Sequence, residues 1–210
     1  MTQPVNAGLL PVKRLDRAKA RLGPHFGETR RELIARALFA DALSLCTETD
    51  FLEWWVLSDD DEVLSRAREA GHATLRDEGI GLNAALTSAM KAIAATGAES
   101  VTIIPADVPL ARPGDLLDLL DTGATSDVVV VPSHDDGGTN GLFMRPVGLL
   151  EPAFGAGSLS AHVTLAHDRA LRCSVLTLPG LALDIDTPDD VRALMASPGS
   201  SLTAEVCAGL

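Results

Sequence analysis

Apolar runs of strand length alternate with helical patterns along almost the whole chain, and this rhythm constrains the fold more than any other feature. NAGLLPV, EWWVLS, HATLR, SVTIIPAD, DVVVVPS, GLFMRP and CSVLTL read as strands. Between them ETRRELIARALFADALSLC, DDEVLSRAREA, LNAALTSAMKAIAAT, PGDLLDLL and SAHVTLAHDRAL read as helices. In the first helix Leu33, Ala37, Leu38 and Leu45 fall at helical spacing, and Thr29 with Glu32 has the pattern of a capping box. In LALDIDTPDDVRALMAS, Thr187 and Pro188 mark another helix start, because the missing N–H of proline costs nothing at the first helical position. Short apolar strands separated by helices predict a three-layer α/β domain around a mostly parallel sheet buried on both faces. Residues 1–210 read as one such domain, with a loose tail from about residue 198. Ligands of these sheets bind beyond the carboxyl ends of the strands.

Composition narrows the partners. With 17 Lys and Arg against 29 Asp and Glu, the formal charge is −12, which excludes a sequence-independent grip on nucleic acid. No apolar run is long enough to span a bilayer, and MTQPVNAGLL lacks the pattern of a signal peptide, so a cytoplasmic protein without membrane contact is expected. Cys46, Cys173 and Cys207 are odd in number and widely spaced, which argues against a disulfide framework and a zinc site.

Against that acidic background KRLDRAKAR stands out, placing Lys13, Arg14, Arg17, Lys19 and Arg21 just after the first strand with only Asp16 to offset them. At the mouth of a sheet such a loop suits a polyphosphate, since lysine supplies a point charge and arginine a bidentate fork. A solvated helix face is the alternative reading. The loop lacks the GxxxxGK[ST] cradle, so a P-loop NTPase is excluded.

Three further clusters fall at strand ends. Asp107 follows VTIIPA directly, and Asp184 and Asp186 stand two apart, on one side of an extended segment. Together they suit Mg²⁺, which takes one or two carboxylates plus substrate phosphates and water. Taken singly, Asp107 also reads as a turn residue and Asp186 as a helix-start carboxylate. The glycine-rich GGTNG, with Thr139, and FGAGSLS, with Gly155 and Ser158, can both bring backbone N–H groups to an anion, although a hairpin and a helix cap would use the same residues. His134, His162 and His167 are too scattered for a triad and no GxSxG elbow is present, so hydrolase chemistry has little support.

Taken in order, PVKRLDRAKARL, GLNAAL, PADVPL, GGTN, FGAGSLSAH and LDIDTPDD resemble the CofC/FbiD family of guanylyltransferases of coenzyme F-420 biosynthesis, over roughly residues 8–195. The resemblance implies a MobA-like nucleotidyltransferase fold with a seven-stranded mixed sheet. It also implies Mg²⁺-dependent transfer of GMP from GTP to the phosphate of a small three-carbon acid, with release of pyrophosphate. The acid would be phosphoenolpyruvate, with 2-phospho-L-lactate and 3-phospho-D-glycerate as the alternatives. Carried over by position, Lys13, Lys19 and Arg21 would meet the GTP phosphates and Leu82 and Asn83 would lie near the nucleotide. Asp107, Asp184 and Asp186 would hold metal, Lys13, Lys19, Arg21 and Asp107 would form the catalytic set, and Thr139, Gly155 and Ser158 would receive the acid. Two features limit the transfer. The usual glycine-rich opening loop of the wider superfamily is replaced here by PVKRLDRAKARL, which favours the narrower family. Asp135 and Asp136 oppose an anionic acid unless they turn away or bind metal. Cytidylyl or uridylyl transfer to a sugar or alcohol phosphate and a non-catalytic nucleotide-binding module are the competing readings, and a homodimer is left open.

Overall fold

The computed structural model describes residues 5–79, 81–134 and 137–209. Its strands are β1 (Asn6–Pro11), β2 (Glu53–Ser58), β3 (Ala73–Arg76), β4 (Ser100–Ile103), β5 (Val128–Pro132), β6 (Thr139–Met144) and β7 (Cys173–Val175). They form one sheet in the order β3-β2-β1-β4-β6-β5-β7. Neighbours pair in parallel except β6, which runs antiparallel to both β4 and β5. The reversal follows from chain length: only residues 133–138 separate β5 from β6, room for a hairpin but not for the crossover that a parallel return requires. The expected α/β architecture with a mostly parallel mixed sheet is therefore what the chain adopts.

The helices are α1 (Gly23–Phe26), α2 (Glu28–Glu48), α3 (Asp61–Glu69), α4 (Leu82–Ala94), α5 (Pro113–Gly123), α6 (Ser158–Asp168), α7 (Pro179–Ala182), α8 (Pro188–Ala196) and α9 (Leu202–Ala208). Both faces of the sheet are covered. Val129 and Val131 pack with Phe39 of α2, Val63 of α3 and Leu116 of α5 on one face. Val128 and Val130 pack with Leu86 and Met90 of α4 and Ala166 of α6 on the other. Alternate residues of β5 thus feed opposite cores, which explains why the strands read as unbroken apolar runs. Gly8 on β1 leaves room for the ring of its register partner on β2, Trp54, from which a Cβ would stand 2.4 Å.

Three local expectations differ from what forms. No side chain caps α2, since Gly27, at φ 79°, occupies the N-cap position directly after α1, and Glu32 instead pairs with Arg36 at 2.9 Å one turn along. Leu33 is 47% exposed, the buried stripe running through Ile34, Ala37, Leu38 and Phe39. The expected loose tail contains α9, which docks on α2. Asp41 of α2 accepts from the N–H groups of Leu202 and Thr203 at 2.8 and 2.9 Å and from the Thr203 hydroxyl at 2.6 Å. Thr203 is fully buried there. A local cap marks the same start, Ser201 Oγ accepting from the N–H of Ala204 at 3.1 Å. No described helix is long and apolar enough to cross a membrane.

Removing that cap tests the docking. Asp41→Ala is expected to destabilise the protein by about 1–2 kcal/mol, since it strips the free N–H groups of a helix start of their acceptor. Urea unfolding measures this, and amide exchange should speed up first within residues 202–208.

Candidate active site

Beyond the carboxyl ends of β1, β2 and β4 lies a cleft of ≈ 420 Å³ whose walls include Lys13, Lys19, Leu82, Asp107 and Asp186. The basic loop after β1 is held there by two buried groups. Arg31, on α2 and 4% exposed, donates to the carbonyls of Ala18 at 2.5 Å, Asp16 at 2.7 Å and Leu15 at 3.4 Å, and its Nε reaches Glu28 at 2.8 Å. Asp60 accepts from the N–H of Leu15 at 3.0 Å while its other oxygen caps α3. A planar guanidinium that gathers three carbonyls of one loop fixes that loop's path.

The loop delivers Lys19 in the left-handed region, at φ 58° and ψ 38°, a conformation that disfavours any residue with a Cβ. Its ammonium donates to Asp107 Oδ2 at 2.5 Å and to Asp186 Oδ1 at 2.8 Å, with only 9% of the side chain exposed. Burial acts to lower the Lys19 pKa, but the two carboxylates outweigh it and the pKa is raised, so the group stays charged. Burial likewise pushes against ionised Asp186, yet Lys19 foremost, then Arg21 and Lys13, hold its pKa below the usual carboxylate value.

Asp186 arrives because the DID segment is anchored from both sides. Ile185 is fully buried and its N–H donates to the Asp107 carbonyl at 3.0 Å. Immediately after it α8 starts where the Thr-Pro pair predicts, and Thr187 and Asp190 close a capping box there. Asp184 takes a different partner, its Oδ1 accepting from Asn140 Nδ2 at 3.0 Å. Burial raises its pKa and the nearby Asp107 adds to this, against the Asn140 hydrogen bond.

The other expected residues divide. Arg21 is 77% exposed, its guanidinium 4.0 Å from Asp186 at the cleft rim. Asn83 uses both amide atoms on the backbone of Phe154, at 2.8 and 3.0 Å, and so braces the FGAGS segment. Gly155 stands in that segment at φ 132°. Thr139 and Ser158, 6% and 1% exposed, hydrogen-bond each other at 3.0 Å outside the cleft walls. Asp135 and Asp136 lie outside the described residues. Sequence reasoning missed Arg31, Asp60 and Asn140; the first two support the loop from distant segments and carry no local motif, while Asn140 stands beside Thr139 in GGTN.

His162 completes the Thr139 cluster. Its Nε2 accepts from the N–H of Ala153 at 2.9 Å, so in the neutral ring Nδ1 carries the proton and donates to Thr139 Oγ1 at 3.1 Å. Thr139 Oγ1 then accepts from both Ser158 and His162, leaving its own O–H as the donor not yet used.

Asp107 and Asp186 are close enough to share one ammonium, and hard oxygen donors of this kind fit Mg²⁺ completed by phosphates and water. Among the described residues no three His, Cys, Asp or Glu side chains form a ready-made metal cage. The arrangement can set cations and carboxylates against a polyphosphate.

Burial of neutral His162 pushes its pKa down to about 4. A folded value below the unfolded one means the unfolded chain takes up the proton first. The stability due to neutral His162 is therefore intact above about pH 6.5 and is lost as pH falls toward 4, by roughly 3 kcal/mol in all. Unfolding free energies between pH 7 and 4 should show this loss, and His162→Gln should flatten it.

The family described as CofC-like guanylyl transferases matches residues 7–205. The phosphoenolpyruvate guanylyltransferase of Rubrobacter xylanophilus is 36% identical over 192 residues, covering 91% of this chain and 94% of that protein. The 2-phospho-L-lactate guanylyltransferase of Methanothermobacter thermautotrophicus is 36% identical over 189 residues, covering 89% and 82%. Among solved structures, one described as a nucleotide-diphospho-sugar transferase from Desulfovibrio desulfuricans superposes with a TM-score of 0.84 at 18% identity, covering 99% of this chain and 95% of that one. A 4-diphosphocytidyl-2C-methyl-D-erythritol synthase superposes at 0.65 and 12% identity, covering 93% and 99%; both likenesses bear on the fold. The cationic loop and the two carboxylates meet in one cleft at the carboxyl end of the parallel strands, and the chain belongs to the CofC-like guanylyl transferase family.

Proposed function

We propose that this protein transfers GMP from GTP to the phosphate of phosphoenolpyruvate, releasing pyrophosphate, as a step of coenzyme F-420 biosynthesis. The observation that carries the reading is the meeting of Lys19 with Asp107 and Asp186 in a cleft that Lys13 also lines. The choice of acid rests on the Rubrobacter xylanophilus relative, with 2-phospho-L-lactate and 3-phospho-D-glycerate as the alternatives.

A phosphate oxygen of the acid attacks the α-phosphorus of GTP. The bond from that phosphorus to the oxygen bridging to the β-phosphate breaks, and the electron pair leaves with pyrophosphate. The nucleophile is already an anion, so no base is needed to create it, and the barrier is the approach of two polyanions. Lys13 and Lys19 neutralise the triphosphate, with Arg21 at the rim. Asp107 and Asp186, with Asp184 behind them, would hold Mg²⁺, which when bound would offset charge on the phosphate oxygens. The acid lies toward Thr139, Gly155 and Ser158. There the spare Thr139 O–H can donate to a phosphate oxygen, and Asn140 links this pocket to Asp184.

Pyrophosphate release with Mg²⁺, GTP and each of the three acids tests the reading, with CTP and UTP run in parallel. Turnover is expected with GTP and fastest with phosphoenolpyruvate. Asp107→Asn should lower kcat by about 10²–10³-fold while far-UV circular dichroism at the assay temperature still shows the folded protein. Absence of turnover with every acid, or preference for CTP or UTP, would overturn the assignment.

A further inference from the structure

The cleft holds two carboxylates that the transfer chemistry does not use, Asp59 and Asp77. Sheet order says which part of a nucleotide they meet. Asp77 follows β3, Asp59 follows β2, Lys13 and Lys19 follow β1, Asp107 follows β4, and Thr139 opens the antiparallel β6 at the same end. The site therefore runs in one direction across the sheet, from Asp77 at the edge, past the cations, to the Thr139 cluster. From β3 to β1 is two strand spacings, about 10 Å, which matches the reach from a purine edge to its triphosphate.

Asp77 is held ready. Its N–H donates to the Ser58 carbonyl at 3.0 Å, prolonging the β2–β3 pairing, and its Oδ1 accepts from the N–H of Gly79 at 2.8 Å. The neighbouring Arg76 does not neutralise it, because that guanidinium is paired with Asp61. Beside it Leu57 and Leu82 line the cleft, and Leu82 is left 39% exposed, an apolar surface on which a planar base can rest. A carboxylate at the base end repels a phosphate but fits adjacent N–H donors. Guanine presents such a pair, N1–H and the 2-amino group, on one edge. Adenine and cytosine place an acceptor at the corresponding ring nitrogen, which a carboxylate rejects.

We propose that Asp77 is the guanine-reading residue, its carboxylate accepting from N1–H and the 2-amino group of the base. The inference rests on the guanylyl-transfer reading, and it predicts a reversal that loss of folding cannot mimic. Xanthine carries a carbonyl where guanine carries the amino group. An Asn at position 77 would accept from N1–H through its oxygen and donate to that carbonyl through its nitrogen.

The test measures KM and kcat for GTP, ITP and XTP in the wild type, Asp77→Asn and Asp59→Asn. It also measures competition of the same nucleotides against a fluorescent GTP analogue in the presence of Mg²⁺. The wild type should prefer GTP over ITP, which lacks the 2-amino group, by about tenfold or more. Asp77→Asn should raise KM for GTP by about 100-fold with kcat little changed, and should bind XTP more tightly than GTP. Asp59→Asn should keep the wild-type order. Retention of GTP over XTP by Asp77→Asn, or a reversal produced by Asp59→Asn instead, would overturn the inference. Binding keeps the two ideas apart: a missing turnover with every acid sinks the transfer reading, while the nucleotide order in the competition assay still decides Asp77.

Discussion

The Lys19 ammonium, gripped by Asp107 and Asp186, is the contact on which the geometry of this protein turns. It joins Lys19 to residues 88 and 167 positions along the chain, and so fixes the segments after β1, after β4 and between α7 and α8 against one another. The arrangement is not cheap, since a buried ammonium gives up hydration and a left-handed lysine gives up a better backbone conformation. Both costs are offset only because the surroundings leave little choice. Arg31 and Asp60 set the path of the loop, and the buried Ile185 sets the path of the carboxylates. A site assembled in this way is organised before substrate arrives, as the proposed neutralisation of a polyanion in the transition state requires.

The single reversed strand decides what else can join that contact. Because β6 runs opposite to its neighbours, its first residues rather than its last lie at the functional end of the sheet. Thr139 and Asn140 are those residues, and Asn140 ties the hairpin to α7 and to Asp184 through three hydrogen bonds from one nitrogen. A fully parallel sheet would have put Met144 there and left Asp184 without its donor. The short β5–β6 connection is thus a functional constraint as much as a topological one.

How far the sequence revealed this depended on how local each interaction is. Strands buried on both faces announce themselves as apolar runs, and the start of α8 is marked by the adjacent Thr187 and Pro188, so both were legible. The carboxylates and the basic loop were found because their charge stands out at strand ends. Arg31 was invisible among the charges of α2, since nothing nearby marks it as the one guanidinium turned inward. Asn83 was read as a neighbour of the nucleotide, and its pairing with the Phe154 backbone 71 residues away left no sign in the sequence. The docking of α9 depends in the same way on Asp41, 161 residues before it. Long-range pairings between polar groups leave no periodic trace.

Two cations in the loop region illustrate why residue type matters beyond charge. Arg31 serves several carbonyls that lie along one stretch of backbone, a task for a rigid fork whose donors diverge in a plane. Lys19 serves two carboxylates that approach from different segments, a task for a compact charge on a flexible stem. A lysine at position 31 would leave carbonyls unpaired, and an arginine at position 19 would fill the space between Asp107 and Asp186 with a planar group. The latter would hold the carboxylates apart and block the approach of phosphate oxygens. The same net charge of −12 would remain in both cases, so the chemistry of this cleft is set by the shape of its cations and not by their number.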